Sequence, residues 1–396
     1  MTATAAFNTL PPANAPTITL THPTASERLA IWRENGAHWR GALSLEAYLV
    51  REQHLAEQSL TSNGGITWWA LVSEAGPRDS DGENSTAGRG KRLVLAACET
   101  FRKRALVGKD GVVHEAVAHG IGSVFTPVRC RGKGYAGRMM GELGERLKTW
   151  QAGEGGQNLF SVLYSDIGKE FYAKYGWTPY VEPFAWIPYA SNTRPNGFVS
   201  HLPTSKPLYK ADLAALCTSD EAALKSSLER RSTNSSKTVV ALIPDEMTMD
   251  WLHAREDFVA LELYSHEPLI KGAIVGSKEG HRAWAVWTRM WYTHDPQKPR
   301  HENVLYVLRL VVEDGVEDTK ETVAALLEAA RSEAEKWEMS GVEVWNPRAE
   351  VIDAAKLVSK NTGLIEREKE SIASLRWNGD AAEEVEWVAN EKFGWC

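Results

Sequence analysis

The sequence lacks the features of several large protein classes. Its four cysteines, Cys98, Cys130, Cys217 and Cys396, are far apart, and their spacing matches neither a disulfide framework nor a metal motif. Such cysteines are typical of free thiols in a reducing compartment. The chain also has no run of about 18 consecutive apolar residues, so we expect no helix that crosses a membrane.

Positively charged residues are also fewer than negatively charged ones, 45 against 52. The net charge is −7, which argues against a general nucleic-acid binder. Residues 1–26 are rich in Ala, Thr and Pro but lack the charged and apolar regions of a secretory signal and the arginines of a transit peptide. We predict a disordered lead-in, a cytoplasmic protein, and no metal, membrane or nucleic-acid partner. The oligomeric state cannot be predicted from the sequence.

Two common nucleotide-binding loops are absent, since neither G-x-x-x-x-G-K-[ST] nor G-x-G-x-x-G occurs. The chain does contain a basic, glycine-rich turn at 129–134, RCRGKG, after an apolar run at 121–125. Pro127 cannot donate to a ladder and should end that strand. A helical pattern begins at Tyr135, because apolar residues then recur every three or four positions: Ala136, Met140, Leu143, Leu147 and Trp150.

Strand, glycine turn and helix together form a geometry that suits phosphate. The first amides of a helix have no partner within the helix, and its dipole favours an anion there. Glycines let a ligand approach the backbone closely. Four cations add positive charge: Arg129, Arg131, Lys133 and Arg138. We therefore predict a site for a phosphorylated cofactor at this turn.

A second pattern follows the helix. An apolar run at 159–164 predicts a buried strand, and residues 166–176 predict a short helix that ends at Gly176. The pattern Arg129-x-x-Gly132-x-Gly134 resembles the acetyl-CoA signature of the GNAT N-acetyltransferases. The tyrosine-bearing helix before Gly176-Trp177 resembles their second motif.

This resemblance implies a site for acetyl-CoA as cosubstrate. In the superfamily the strand before the turn binds the pantetheine arm, and the turn amides bind the pyrophosphate. The implied cofactor-binding residues are Val124, Phe125, Arg131, Gly132, Lys133, Gly134, Tyr135 and Ala136.

The implied fold class is α/β (α+β), a GNAT fold with a mixed twisted sheet. The second half repeats the order strand, strand, helix, strand, at 283–291, 304–312, 322–337 and 342–345. Where the phosphate turn would be, residues 313–318 read EDGVED, and four carboxylates would repel a pyrophosphate. We predict a lead-in at 1–26, a catalytic domain at 27–190, a linker at 191–210, and a degenerate GNAT-like domain at 211–396 that contributes to the substrate pocket.

Catalytic residues follow from the same resemblance. Tyr172 matches the tyrosine that protonates the leaving thiolate, with Tyr164 and Tyr175 as rivals. His119 lies near the strand position where some GNAT enzymes carry a basic glutamate, and an imidazole suits proton removal at neutral pH. Further candidates for the base are Glu99, Glu115 and Asp166. Some tandem-domain GNAT enzymes bring a terminal carboxylate into the active site, so we also predict that Cys396 lines the substrate pocket.

Beyond the superfamily, the chain resembles the fungal L-lysine N6-acetyltransferases. The similar stretches cover about residues 115–396 and include HGIGSVFTP, RGKGYAGRMM, WTRMWY, LRLVVED and VEWVANEKFGWC. The implied acceptor is the N6 amine of lysine. The alternatives are another small amine (a polyamine, an amino sugar or a xenobiotic) or a non-catalytic CoA sensor. Arg289, Arg309 and Arg376 are candidate partners for an α-carboxylate, and Trp287, Trp291 and Trp345 could contact an aliphatic stem.

Overall fold

The computed structural model describes residues 10–74, 92–153, 156–180, 182–189, 201–295 and 302–396. Its first half contains the elements β1 (Ile18–Thr21), α1 (Ala25–Trp39), α2 (Leu45–Ala56), β2 (Ile66–Ser73), β3 (Leu93–Lys109), β4 (Val112–Phe125), α3 (Tyr135–Leu147), β5 (Phe160–Ser165), α4 (Glu170–Ala173), β6 (Thr178–Pro179) and β7 (Phe184–Pro188).

The second half contains β8 (Lys206–Leu208), α5 (Leu213–Thr233), β9 (Thr238–Leu242), α6 (Glu246–Tyr264), β10 (Gly272–Val275), β11 (Ala283–Met290), β12 (Val304–Val312), α7 (Thr319–Lys336), β13 (Gly341–Trp345), α8 (Ala349–Val358), β14 (Gly363–Ile365), β15 (Ile372–Trp377) and β16 (Val385–Trp387). None of the described helices has the length and apolar character needed to cross a bilayer.

The strands form two sheets that are interleaved in sequence. The first has the order β1-β2-β3-β4-β5-β15-β6, with β9 paired to β3 and β16 paired to β9. The second has the order β14-β7-β13-β12-β11-β10-β8. Strand β7 thus leaves the first half for the second sheet, while β9, β15 and β16 return to the first. The boundaries predicted at 27–190 and 211–396 therefore do not divide the two sheets cleanly.

Each sheet contains the same parallel crossover. Strands β4 and β5 pair in parallel around α3, and β12 and β13 pair in parallel around α7. Strand β3 lies antiparallel to β4, as β11 does to β12. The mirrored order of strand, strand, helix, strand is therefore confirmed.

Helix α3 forms for the reason that its periodicity predicts. Met140, Leu143 and Leu147 are almost fully buried in one core cluster with strands of the first sheet. Full burial of one such side chain contributes roughly 1.5–3 kcal/mol. The helix ends at Leu147, so Trp150 lies beyond it and donates its indole N–H to Thr67 at 3.2 Å.

Three sequence expectations need correction. Strand β1 lies inside the lead-in that was expected to be disordered, because it pairs with β2. The basic run 102–104, whose three charges suggest a solvated strand end, lies in the middle of β3, where Lys103 is buried. Helix α4 has a single turn rather than the whole of 166–176. Residues 76–90, whose Gly, Ser, Asp and Asn content predicts a loop, lie outside the described residues.

Candidate active site

A cavity of about 750 Å³ lies where elements from both halves meet. This volume is within the usual range for small-molecule sites, roughly 300–1,000 Å³. The first half contributes residues of α1, α2, β2, β3, β4, β5 and α4. The second half contributes residues of α6, β11, β12 and the C-terminal segment, residues 388–396. Its walls include Trp32, Tyr48, Arg51, Glu52, Trp68, Glu99, Val124, Tyr164, Asp166, Tyr172, Arg255, Tyr292, Lys392, Trp395 and Cys396.

The phosphate turn, residues 129–134, lies next to this cavity and exposes its backbone. Gly132 and Gly134 have φ of 73° and 84°, a left-handed conformation that favours glycine. Gly134 is the N-cap of α3 and no side chain caps the helix there. Residues 131–134 are exposed, and a Cβ built on Gly132 meets nothing within 4 Å. The first amides of α3 are therefore available to an anion.

The four cations near this turn are not equivalent. Arg129 pairs with Glu34 at 2.8 Å, and Arg131 donates to the Thr126 carbonyl at 3.0 Å. Arg138 pairs with Glu142 and also donates to three main-chain carbonyls, those of Ala13, Ala15 and Ile18. Lys133 is exposed and has no side-chain partner among the described residues. Arg138 thus fixes the N-terminal chain onto α3, and Lys133 is the cation best placed for a ligand.

Strand β4 connects the turn to the cavity. Its pairing with β5 runs from Ala118–Phe160 to Ile121–Leu163, although β4 itself continues to Phe125. Val124 lies in the cavity wall. Phe125 is buried and packs edge-on against Trp39, with ring centroids 6.0 Å apart. The two parallel strands therefore separate on the way to the turn, and we call this opening the first wedge.

The other two predicted cofactor residues begin α3. The Tyr135 side chain is buried, and its hydroxyl donates to the Pro11 carbonyl. Ala136 is half-buried. Both can therefore offer a ligand their main chain but not a polar side chain.

Tyr172 lies in the cavity wall and is 7% exposed. Burial, then the neighbouring Cys98 and Asp166, raise the pKa of this phenol above its ordinary value. Of its two rivals, Tyr164 also lines the cavity, whereas Tyr175 packs against the glycines of α3. Tyr172 therefore remains protonated at neutral pH and can act only as a proton donor there.

His119 does not reach this cavity. It is fully buried, and its Nε2 lies 3.1 Å from Oε1 of Gln151, beyond the end of α3. Burial, despite that hydrogen bond, lowers its pKa to about 4. His119 is not among the described residues that line the cavity, because along β4 it lies on the side of the sheet that α3 covers. Its position does not support the catalytic role predicted for it.

Glu99, an alternative to His119, lies inside the cavity. It is 7% exposed, sits on β3 opposite Gly122, and accepts a hydrogen bond from the indole of Trp32 at 3.2 Å. Burial, and then the charge of Glu52, raise its pKa to about 7. Such a carboxylate can accept a proton near neutral pH.

The other two acidic candidates differ in position. Glu115 is exposed and pairs with Arg104, away from the cavity. Asp166 lines the cavity and accepts a hydrogen bond from the Ser371 amide at 3.0 Å. Glu99 is therefore the acidic group that combines burial, a cavity position and a pKa near 7.

The C-terminal segment packs directly on β4. A Cβ on Gly120 would lie 2.8 Å from Sγ of Cys396, and one on Gly122 would lie 3.0 Å from its main-chain oxygen. The buried Lys103 donates to the Gly394 carbonyl at 3.0 Å. Two glycines inside a strand are a signal for close approach of another backbone, and the sequence H-G-I-G contained it.

The three arginines predicted to bind a carboxylate already have partners. Arg289 pairs with Glu256 and Glu333, Arg309 with Asp220 and Glu391, and Arg376 with Glu145. Because acidic groups already pair with each guanidinium, the predicted role is not supported. Arg289 does line the cavity, together with four cations that sequence reasoning missed: Arg40, Arg51, Arg255 and Lys392. Of the three tryptophans expected near a substrate stem, Trp291 lines the cavity.

Comparison with known proteins identifies the fold and the family. A family model described as the LYC1 GNAT-like C-terminal domain matches residues 188–396. The chain belongs to this family. The LYC1-like match spans the half that carries no phosphate turn, and the predicted GNAT fold with a second, degenerate GNAT-like unit is confirmed. The protein is an N-acetyltransferase of the GNAT type.

Individual relatives agree with this assignment. The chain is 25% identical over 406 residues to a lysine acetyltransferase of Yarrowia lipolytica, a match that covers 90% of this chain and 94% of the relative. Two crystal structures share the fold: a GCN5-related N-acetyltransferase of Kribbella flavida (15% identity, TM-score 0.50, 91% of this chain and 71% of that one) and a probable N-acyltransferase of Enterococcus faecalis V583 (13%, TM-score 0.51, 91% and 72%).

Proposed function

We propose that this LYC1-like protein transfers the acetyl group of acetyl-CoA to the N6 amine of L-lysine, directly within a ternary complex. The observation that carries the proposal is the presence of Glu99 and Tyr172 in one cavity beside the first wedge. The named lysine acetyltransferase of Yarrowia lipolytica supports the choice of acceptor.

The phosphate turn would hold the donor. Main-chain amides between Arg131 and Ala136 would bind the diphosphate, since Gly132 and Gly134 leave the backbone open and Lys133 adds a positive charge. Val124 and Phe125 would hold the pantetheine arm along the end of β4. Acetyl-CoA supplies the thioester from which the acetyl group is transferred.

Glu99 would act as the base. A primary amine with a pKa near ~10.4 is mostly ammonium at pH 7 and cannot attack until it loses a proton. A carboxylate with a pKa of about 7 can take that proton, directly or through one water. The same burial also lowers the pKa of an amine beside Glu99, which makes loss of its proton easier.

Tyr172 would act as the acid. Because burial keeps its phenol protonated, it can donate a proton to the departing thiolate. Cys396 and Cys130 are not needed as nucleophiles, since burial raises the pKa of both thiols, to about 11 for Cys396. The predicted contribution of Cys396 to the substrate pocket is tested by deleting Trp395 and Cys396, which should lower turnover.

Incubation of the purified protein with acetyl-CoA and a panel of amines, with release of free thiol as the signal, tests the proposal. We expect thiol release with L-lysine, and mass spectrometry with fragmentation should place the acetyl group on N6. Release only with a polyamine, an amino sugar or a xenobiotic would contradict the choice of acceptor. CoA binding without release for any amine would favour a CoA sensor. Tyr172→Phe should bind acetyl-CoA normally but turn over more slowly.

A further inference from the structure

Among the described residues of the cavity wall, two buried or half-buried cations have no carboxylate partner. Arg255, on α6, and Lys392, in the C-terminal segment, both line the cavity. Across the described part of the chain, neither side chain forms an ion pair or a hydrogen bond. Buried or half-buried cations without such a partner are rare, because desolvation disfavours the charge.

Aromatic rings hold these two cations instead. The Nζ of Lys392 lies 4.3 Å from the ring centroids of Trp345 and Trp395 and 4.4 Å from that of Tyr306. The guanidinium of Arg255 lies 5.5 Å from the ring of the same Trp395. Cation–π contacts at these distances stabilise a charge without neutralising it. Trp395 therefore brings two positive groups to one part of the cavity.

Charged groups of both signs surround the ammonium of Lys392. Burial lowers its pKa to about 7; the carboxylates of Glu343 and Asp166 act in the opposite direction, and the guanidiniums of Arg255 and Arg367 lower the pKa further. The nearby Arg51 already pairs with Glu52 at 2.7 Å. A carboxylate bound beside Arg255 and Lys392 would favour the charged form of Lys392.

We propose that Arg255 and Lys392 form the subsite that binds the α-carboxylate of the amino-acid acceptor, and so select amino acids over simple amines. This inference rests on the proposed function. It replaces the three arginines expected from the sequence, whose charges are already matched by protein carboxylates. The reacting amine would lie at the Glu99 side of the same cavity.

The test compares L-lysine with cadaverine, which has the same amine and stem but no carboxylate. Wild-type protein should prefer lysine in kcat/KM by about 50-fold or more, a size typical of losing one partner of a charged hydrogen bond. Arg255→Met and Lys392→Met keep most of the side-chain volume. Each should raise the KM for lysine by about 10-fold or more, with kcat little changed and the KM for cadaverine within about twofold.

Lys225→Met, an exposed change on α5, is the matched control and should leave every constant unchanged. CoA affinity, measured by calorimetry, checks that each variant is folded. Equal use of lysine and cadaverine by the wild type, or equal loss of both substrates in the variants, would overturn the subsite. An acetyl group on Lys392 after incubation with acetyl-CoA would also overturn it. Absence of turnover with both amines would instead count against the proposed function.

Discussion

The two parallel crossovers of this protein have the same topology, but the space where their strands separate is open in one and filled in the other. In the first, β4 and β5 stop pairing at Ile121–Leu163, and the wedge beyond opens into the cavity. In the second, β12 and β13 stop pairing at Val307–Val344, although β12 continues to Val312. There the C-terminal segment fills the wedge. The same backbone arrangement is therefore open to the cavity in one unit and occupied by the chain itself in the other.

Specific contacts hold the segment in the second wedge. Glu391 accepts a hydrogen bond from the Leu310 amide at 3.0 Å and pairs with Arg309. The ammonium of Lys392 lies between rings from both strands, Tyr306 on β12 and Trp345 on β13. The main-chain amide of Leu310, which a pantetheine carbonyl or a similar ligand could otherwise contact, is thus already hydrogen-bonded to Glu391. Because the segment occupies this groove, Lys392, Trp395 and Cys396 reach the wall of the cavity.

The turns that precede α3 and α7 differ in a corresponding way: the first is open to an anion and the second is not. The first has two glycines with positive φ, an uncapped helix and a free Lys133. In the second, Glu313 pairs with Arg282 at 2.6 Å, and the start of α7 is surrounded by acidic residues: Glu317, Asp318, Glu321, Glu350 and Asp353. Both helices begin after a turn, yet electrostatics favours an anion at the first alone.

The largest effect should come from Glu99→Gln. Glu99 is the first residue after the register shift in the pairing of β3 with β4. The equivalent residue of the second unit, after the shift in the pairing of β11 with β12, is Trp287, which has no carboxylate. Removal of the base should lower kcat by about 10²–10⁴-fold. Because the carboxylate must be deprotonated, wild-type activity should rise as the pH increases through about 7, and the variant should lose this limb. Glu313→Gln, in the second unit, is the control; an unchanged pH profile in Glu99→Gln would rule out Glu99 as the base.

The next effect concerns stability and the filled wedge. Arg309→Met leaves Asp220 and Glu391 buried without their cation. The free energy of unfolding, measured in urea, should fall by about 3–5 kcal/mol. Arg231→Met breaks an exposed pair with Glu386 and should cost about 1 kcal/mol or less. Equal losses in the two variants would mean that the segment is not anchored at Arg309.

A smaller effect is expected from Gly134→Ala, which adds a side chain at φ 84° in the phosphate turn. Affinity for CoA, measured by calorimetry, should fall by about 10-fold, since the turn must relax away from its binding conformation. Gly280→Ala adds the same methyl group at φ 83° beside the second turn. Both variants should lose about 1 kcal/mol of stability, but Gly280→Ala should bind CoA normally. Weaker binding in both would point to a general loss of fold.

The smallest effect should follow Lys133→Glu. An exposed charge near a diphosphate should change CoA affinity by about three- to tenfold at low salt and less at high salt. The reciprocal change, Glu317→Lys, should leave one CoA bound per chain because the second wedge stays filled. A second CoA bound by Glu317→Lys would show that charge alone distinguishes the two units.

Local patterns predicted much of the fold. Strand β12 was predicted to the residue, and the start of α3 at Tyr135 was correct, because proline, glycine and helical periodicity act over a few positions. The exchange of strands between sheets was not predictable in this way. Strand β15 was expected in the second half of the fold, yet it pairs with β5 in the first sheet. Such pairing depends on contacts between residues about 200 positions apart, which no local pattern records.

The residues of the site can be divided in the same way, into those that a local pattern predicts and those that depend on contacts between distant parts of the chain. The phosphate turn and Tyr172 belong to contiguous motifs and could be recognised from them. The proposed base, Glu99, could not be singled out, since His119 and Glu99 both lie on strands and differ only in the direction of their side chains. Lys392 and Arg255 both contact the ring of Trp395. From the sequence alone, this lysine cannot be distinguished from one at the surface, nor this arginine from any other arginine on a helix.

Strand β15 has a consequence for biosynthesis. It pairs with β5 on one side and β6 on the other, and both precede it by nearly half the chain. During translation, β5 therefore emerges long before its neighbour exists, and its open edge must wait through the synthesis of residues 180–371. Non-local pairing of this kind slows folding and leaves strand edges open to aggregation. Expression as two separate fragments, or with synthesis halted before residue 377, should thus yield an insoluble amino-terminal half.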